Sequence, residues 1–361
     1  MIARMVSYAA CLWLAGLVVP GDAEARCRGT DLMAELARQD PAAHNAILDA
    51  AAEVPNGEGI FWQVARPDSP ETAPSYLLGT LHSTAAAARG LPAPVAEALD
   101  RARVLLVEIS AEEKARMQAR MTSDPTFAFA TGGPTLSERL GPDVLPIARR
   151  ALASRGVPLA IADRMKPALV VSMIALPACE LANLRQGARV LDEAVIAIAE
   201  TAGTPVQGLE TVDAAFAAFD ALSEAEMTQL LTDGFRAIDA EEDLRATLEE
   251  LYAAERIAAI MEFNIWFSDS RDGGRDTRAS AEALERTLLA ERNRLWLPAI
   301  LAEMSKGGVL VAVGALHMTG RHGLVALLRA KGYEVERVAL GDAPAVAPPR
   351  PGFTRPPQAE D

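Results

Sequence analysis

Aromatic residues make up only 5% of this 361-residue chain, and lysine is scarcer still, at 4 of the 35 basic residues. Positive charge is in deficit, and the formal net charge is −14 at pH 7. A body this acidic argues against nucleic acid, or an anionic membrane surface, as an electrostatic partner. Beyond residue 25 no apolar run approaches the ~20 residues of a spanning helix, so no stable membrane insertion is expected of the mature chain. Several catalytic signatures are also missing. There is no Gly-x-Ser-x-Gly elbow, no His-Glu-x-x-His helix, no Gly-x-Gly-x-x-Gly or phosphate loop, and no Cys-x-x-Cys pair. These absences take away support for a serine hydrolase, a conventional zincin, a nucleotide-binding protein and a dithiol centre. What is present is a chain that is half hydrophobic, with a mean hydropathy of +0.11, and long enough to bury a large core.

The first 25 residues read as a signal peptide. A basic start at 1–4 precedes an apolar run over 6–19, a Pro20-Gly21 break and a small-x-small site at Ala23-Glu24-Ala25. The protein is therefore expected in the periplasm or outside a bacterial cell. No Cys follows the cleavage site, which argues against a lipoprotein. Cys11 leaves with the leader, so Cys27 and Cys179 remain. An even pair in an exported protein favours one disulfide, with a nucleophilic thiol at Cys179 as the alternative.

In the mature chain, 30–54 reads as helix and 60–64 with 75–81 as a hairpin. Residues 92–103 read as helix and 104–109 as a continuous apolar strand. Helical stretches fill 137–154, 166–184 and 190–202, and a short strand covers 205–209. Residues 211–304 form a large helical insertion. In it Glu241, Glu242, Glu249 and Glu250 are expected on a solvated face. The most apolar strand, 309–313, is followed by helix 321–331 and strand 334–340, and the Pro/Ala-rich 342–361 reads as a disordered tail. The pattern predicts one α/β domain over 26–340, with a mainly parallel central sheet flanked by helices.

Two segments repeat one context 235 residues apart: Leu78-Gly79-Thr80-Leu81-His82 and Val313-Gly314-Ala315-Leu316-His317. Each is apolar strand, Gly, small residue, Leu, His. Gly79 and Gly314 let the backbone turn or approach a ligand or cofactor closely. Functional groups of open α/β sheets gather at the carboxyl ends of strands, so His82 and His317 are candidate ligands of a shared divalent metal. Glu108 and Glu210 end two further strands and offer a third ligand and a general base. The helix over 280–304 places Arg292 on the stripe Leu284, Leu288, Arg292, Leu295, Ala299, beside the row Leu289, Asn293, Trp296, Ile300. A buried guanidinium needs carboxylate partners, for which Glu108 and Glu210 are the candidates. His44 and His322 read as solvated loop residues.

Together these features resemble the TraB/GumN family, which also takes in the animal Tiki proteins and the plasmid pheromone-shutdown proteins. The matching pieces are Tyr76-Leu77-Leu78-Gly79-Thr80-Leu81-His82, Val107-Glu108-Ile109, Leu191-Asp192, Gly208-Leu209-Glu210-Thr211 and Arg292-Asn293. The second Gly-x-x-His segment follows, then Gly332-Tyr333-Glu334-Val335-Glu336-Arg337. They arise in the family's order over about 27–340. The resemblance implies a fold related to erythromycin esterase and haem-uptake ChaN proteins, and a Cys27–Cys179 pairing similar to exported GumN-type members. It maps the family's hallmark residues onto His82, His317 and Glu108. By way of Tiki, it implies metal-dependent hydrolysis of a peptide or protein substrate, with manganese or cobalt ahead of zinc.

The expectation is thus an exported metal-dependent hydrolase. Metal would sit on His82, Glu108 and His317, Glu210 would act as base, and Arg292 with Asn293 would order the carboxylates or stabilise an oxyanion. Two alternatives are a periplasmic peptide- or haem-binding protein without turnover, and a purely structural polar cluster.

Overall fold

A computed structural model describes residues 27–69, 71–272 and 277–341. The expected signal peptide and the tail over 342–361 lie outside the described residues, as do 273–276 within the helical insertion. Strand β5 (Val309–Gly314) is apolar and buried at every position. It lies inside a six-stranded sheet of order β4-β3-β5-β2-β1-β6, which comprises β1 (Phe61–Ala65), β2 (Ser75–Thr80), β3 (Val104–Val107), β4 (Val206–Gly208) and β6 (Glu334–Arg337). β2 and β3 both pair with β5 in parallel, and β4 extends the parallel set beyond β3. β1 returns antiparallel on β2, which is the expected hairpin, and β6 closes the other edge antiparallel to β1. β6 alternates as an edge strand should, with Val335 buried and Glu334, Glu336 and Arg337 exposed.

Alternation along the central strands divides the core. Leu78, Leu105, Val107, Leu310 and Ala312 face the larger cluster, packed under the helical middle of the chain. Leu77, Leu106, Val309, Val311 and Val313 face the second, against Trp296, Ile300, Met304, Leu324 and Leu328. This double coverage is why the parallel strands read as unbroken apolar runs.

Three local expectations change. The segment over 30–54 is two helices, Leu32–Gln39 and Pro41–Ala52, because Asp40 caps the second with its side chain and Pro41 takes the first helical position. His44 lies inside that second helix, half-buried, rather than in a loop. The stretch over 166–184 bends by 85° between Pro167–Ala175 and Ala178–Arg185, where Pro177 interrupts it. No single described helix is long and apolar enough to cross a membrane. Beside this bend Cys179 is joined to Cys27 by a disulfide, which ties the start of the described chain to the helical middle.

Candidate functional site

Parallel pairing places the ends of β2, β3, β4 and β5 on one edge of the sheet. Gly314 stands opposite Thr80, and Val107 opposite both Ala312 and Gly208. His82 follows Thr80 by two residues, Glu108 follows Val107 directly, Glu210 follows Gly208 by two, and His317 lies in the single 3-10 turn Ala315–Met318 after β5. The polar residues spread through the sequence therefore emerge side by side.

Arg292 reaches them from the opposite core. Its helix, Glu291–Met304, continues from a π-helical turn at Arg286–Ala290. A π turn advances the register by about one residue relative to α geometry, and this moves the buried face. Leu295 is 74% exposed and Ala299 is also exposed, so the expected stripe through them is corrected. The row Asn293, Trp296, Ile300 faces inward, with Arg292 buried at its edge.

Arg292 Nη2 donates to Glu108 Oε2 at 2.7 Å, and Nε donates to Glu210 Oε1 at 3.1 Å. Trp296 Nε1 donates to Glu210 Oε2 at 3.1 Å, and the guanidinium lies over the Trp296 ring, 4.6 Å from its centre. The other oxygen of Glu108 accepts from the Gly314 amide at 2.8 Å. Both carboxylates proposed as partners of Arg292 thus bind it. Gly314 serves through its N–H. Gly79 has a packing reason, since a Cβ there would stand 2.9 Å from Ala315 Cα. Its carbonyl accepts from the buried Tyr252 hydroxyl at 2.8 Å.

Each histidine is held by its Nδ1. Asn293 donates its amide to the carbonyls of His317 and His322, which turns its Oδ1 to His317 Nδ1 at 2.7 Å. The His317 proton therefore sits on Nδ1, and the Nε2 lone pair points into the cluster, 3.4 Å from Arg292 Nη1 and 3.9 Å from Glu108 Oε1. His82 Nδ1 pairs with Asp192 Oδ2 at 2.7 Å, and Asp192 also accepts from the Thr80 hydroxyl. His322, expected in a solvated loop, is exposed.

Burial and charge divide the group. Burial would raise Glu108, but Arg292, His317 and His82 outweigh it and hold the carboxyl at about 2. Burial raises Glu210 above its ordinary value against the pull of Arg292. Burial pushes His317 down to about 3, so this imidazole is neutral at any physiological pH. Burial also works against charge on His82, yet Asp192 and Glu108 prevail and raise it, while Asp192 itself is lowered by its His82 and Thr80 partners.

Asp192, Thr80 and Trp296 had no assigned role in the sequence reading. Asp192 was visible as part of a matching dipeptide, but nothing local signals that it faces a histidine 110 positions earlier. One expectation is overturned outright. Glu249 is not on a solvated face: it is 7% exposed, accepts from Ser83 Oγ and pairs with Arg245. Glu241 likewise pairs with the buried Arg155.

No three His, Cys, Asp or Glu side chains among the described residues converge closely enough to hold a metal ion as they stand. The donor chemistry nevertheless fits a divalent cation. Two imidazoles have Nδ1 committed to an oxygen acceptor, and the ionised Glu108 lies 3.9 Å from His317 Nε2, which a bound cation would have to take over from Arg292 Nη1 at 3.4 Å.

Fold and site together define an α/β protein whose polar centre, built from two Gly-x-x-His corners, two glutamates and an arginine, lies at the carboxyl edge of a mostly parallel sheet. The chain belongs to the TraB/PrgY/gumN family, whose model matches residues 60–337. Comparisons with curated proteins and with solved structures returned no match.

Proposed function

We propose that this protein is an exported metal-dependent hydrolase acting on peptide bonds in the periplasm or outside the cell. The observation that carries the reading is the matched fixing of two strand-end imidazoles. Asp192 on His82 and Asn293 on His317 are the outer partners that metal-binding histidines use to set tautomer and ring orientation. His82, His317 and Glu108 would hold the ion, manganese or cobalt ahead of zinc. When bound, it would supply Lewis acidity toward the scissile carbonyl.

The chain's own groups do the rest. Arg292 keeps Glu108 ionised and Glu210 in place, and its charge can face an oxyanion developing at the carbonyl. Glu210, raised by burial, is suited to take a proton from the attacking water and pass it to the leaving amine. The Cys27–Cys179 disulfide accords with an oxidising compartment.

The test is metal content by plasma mass spectrometry, beside hydrolysis of a peptide library, for the mature protein and the His82→Ala/His317→Ala double variant. Near-stoichiometric metal and cleavage in the first, both lost in the second, are expected. Wild-type protein that takes up no manganese, cobalt or zinc on titration would overturn the assignment. Intact peptide with measurable binding would point to the sequestering alternative, and a Soret band would mark haem.

A further inference from the structure

A cavity of about 420 Å³ lies on the helical side of β1 and β2, between the helix Ala93–Asp100 and the C-terminal half of the helix Glu241–Ala253. That volume falls within the range of cavities that hold small organic ligands. Its inner wall is largely apolar, with Leu78, Leu91, Val95 and Leu191 all buried, and Arg89, Ala253 and Gly341 are exposed at its rim. None of the strand-end residues His82, Glu108, Glu210, Arg292 and His317 lines it.

Glu249, Tyr252 and Glu255 interrupt the apolar wall, and none of them has a proton to offer. Tyr252, 7% exposed, has already given its hydroxyl proton to the Gly79 carbonyl. Glu249, also 7% exposed, uses Oε1 for Ser83 and Arg245, and among the described residues nothing donates to its Oε2. Glu255 likewise uses Oε2 for the Ile60 amide and Arg337, with no described donor on Oε1. Neither acid has a guanidinium to itself, because Arg245 also meets Glu180 at 3.5 Å and Arg337 also meets Glu58 at 3.3 Å. The rim cation Arg89 is turned to Glu250, at 3.3 Å. A buried carboxylate with one oxygen undonated and a shared cation is costly until a donor arrives. A ligand matched to this wall is therefore apolar over most of its surface and brings N–H donors with positive charge. A primary ammonium supplies three donors and no acceptor. A carboxylate head would meet two acids, and a hydroxyl would bring one donor and no charge. We infer that the cavity is a binding site for a small apolar primary amine, its ammonium held by Glu249 and its hydrocarbon laid against Leu78, Leu91, Val95 and Leu191.

The experiment titrates octylamine, octanol and octanoate, one chain with three heads, into mature protein by calorimetry at pH 7, where the amine is protonated. Octylamine should bind about tenfold or more tightly than octanol, as a charge-assisted hydrogen bond would give, and octanoate should bind most weakly. Hexylamine, with two fewer methylenes to bury, should bind about tenfold more weakly than octylamine. Glu249→Gln should bring octylamine down to the affinity of octanol and leave octanol within about twofold of wild type, which also reports that the cavity is intact. Val95→Phe, which places a ring in the cavity, should weaken octylamine about tenfold or more, with circular dichroism reporting its fold. Wild type that binds none of the probes, or binds octanol or octanoate as tightly as octylamine, would overturn the inference. So would an amine preference unchanged in Glu249→Gln, or octylamine binding unaltered in folded Val95→Phe. These outcomes are independent of the hydrolase reading, since no probe carries a peptide bond and no lining residue is a proposed metal ligand.

Discussion

Replacing Arg292 with Met removes one charge and keeps most of the apolar stem, so its consequence can be worked through from the contacts. In the native protein the guanidinium joins two carboxylates whose side chains are 11% and 6% exposed. In the variant both stay buried without the guanidinium, keeping only the Gly314 and Trp296 N–H donors, and loss of one partner of a buried ion pair costs about 3–5 kcal/mol. The depression of Glu108 yields a similar figure. A folded value of about 2 against an ordinary 4.5 corresponds to about 3 kcal/mol of stability at neutral pH.

The pH dependence supplies the decisive signature. In wild type the folded pKa of Glu108 lies below its unfolded value, so its contribution is complete above about pH 4.5 and is lost as pH falls toward 2. In Arg292→Met burial loses the largest charge that opposes it, and the folded pKa of Glu108 rises. The penalty is then present at neutral pH and is relieved as pH falls through the raised value. Urea unfolding followed by circular dichroism, with the disulfide intact, should show a deficit of about 3–5 kcal/mol at pH 7 that narrows by pH 4. A deficit under about 1 kcal/mol, or one equal at both pH values, would refute the view that Arg292 neutralises a buried carboxylate pair.

Asp192→Asn should lower the pKa of His82, read by NMR titration of the ring. Because that pKa is raised in the folded state, the lost stability should be largest below about pH 6.5 and fade as pH rises through the folded value. The same variant should weaken manganese or cobalt binding by about 10–100-fold, measured by calorimetry, as loss of an outer partner does. Replacing Cys27 and Cys179 with Ser opens a link between residues 152 apart and should cost about 2–5 kcal/mol in urea unfolding, with no cost if wild type is first reduced. Gly79→Ala forces a Cβ against the Ala315 backbone and should destabilise by about 1–3 kcal/mol. A melting temperature equal to wild type would show that this corner has room to give.

Much of the sheet was legible because its signals are local. The continuous apolar run over 104–109 reads as a strand and is one, buried at each position of β3, and the most apolar run, 309–313, is the strand that pairs with a neighbour on each side. The hairpin of β1 and β2 follows from two β-rich runs with turn residues between them. The helical insertion was less legible in detail. Asp40-Pro41 and Pro177 divide what periodicity alone reads as continuous, and Glu249 turns inward although its acidic neighbours favour solvent. A charge run has no periodic mark for the one member that meets a serine and an arginine from elsewhere.

The sequence by itself determined which residues belong to the site's edge. Strand-end glutamates, two Gly-x-x-His corners and an arginine within an apolar helical pattern can be read by anyone who knows that parallel strands share a direction. Only the tertiary structure decided the pairings. Crossovers of roughly 25 to 100 residues bring β4, β3, β5 and β2 into adjacent register, and a π turn at Arg286–Ala290 rotates Asn293 and Trp296 inward beside Arg292. It also set Asp192 behind His82. Backbone patterning acts within a few residues and dictates elements. A hydrogen bond between side chains 110 positions apart depends on how those elements pack, and no short-range pattern records it.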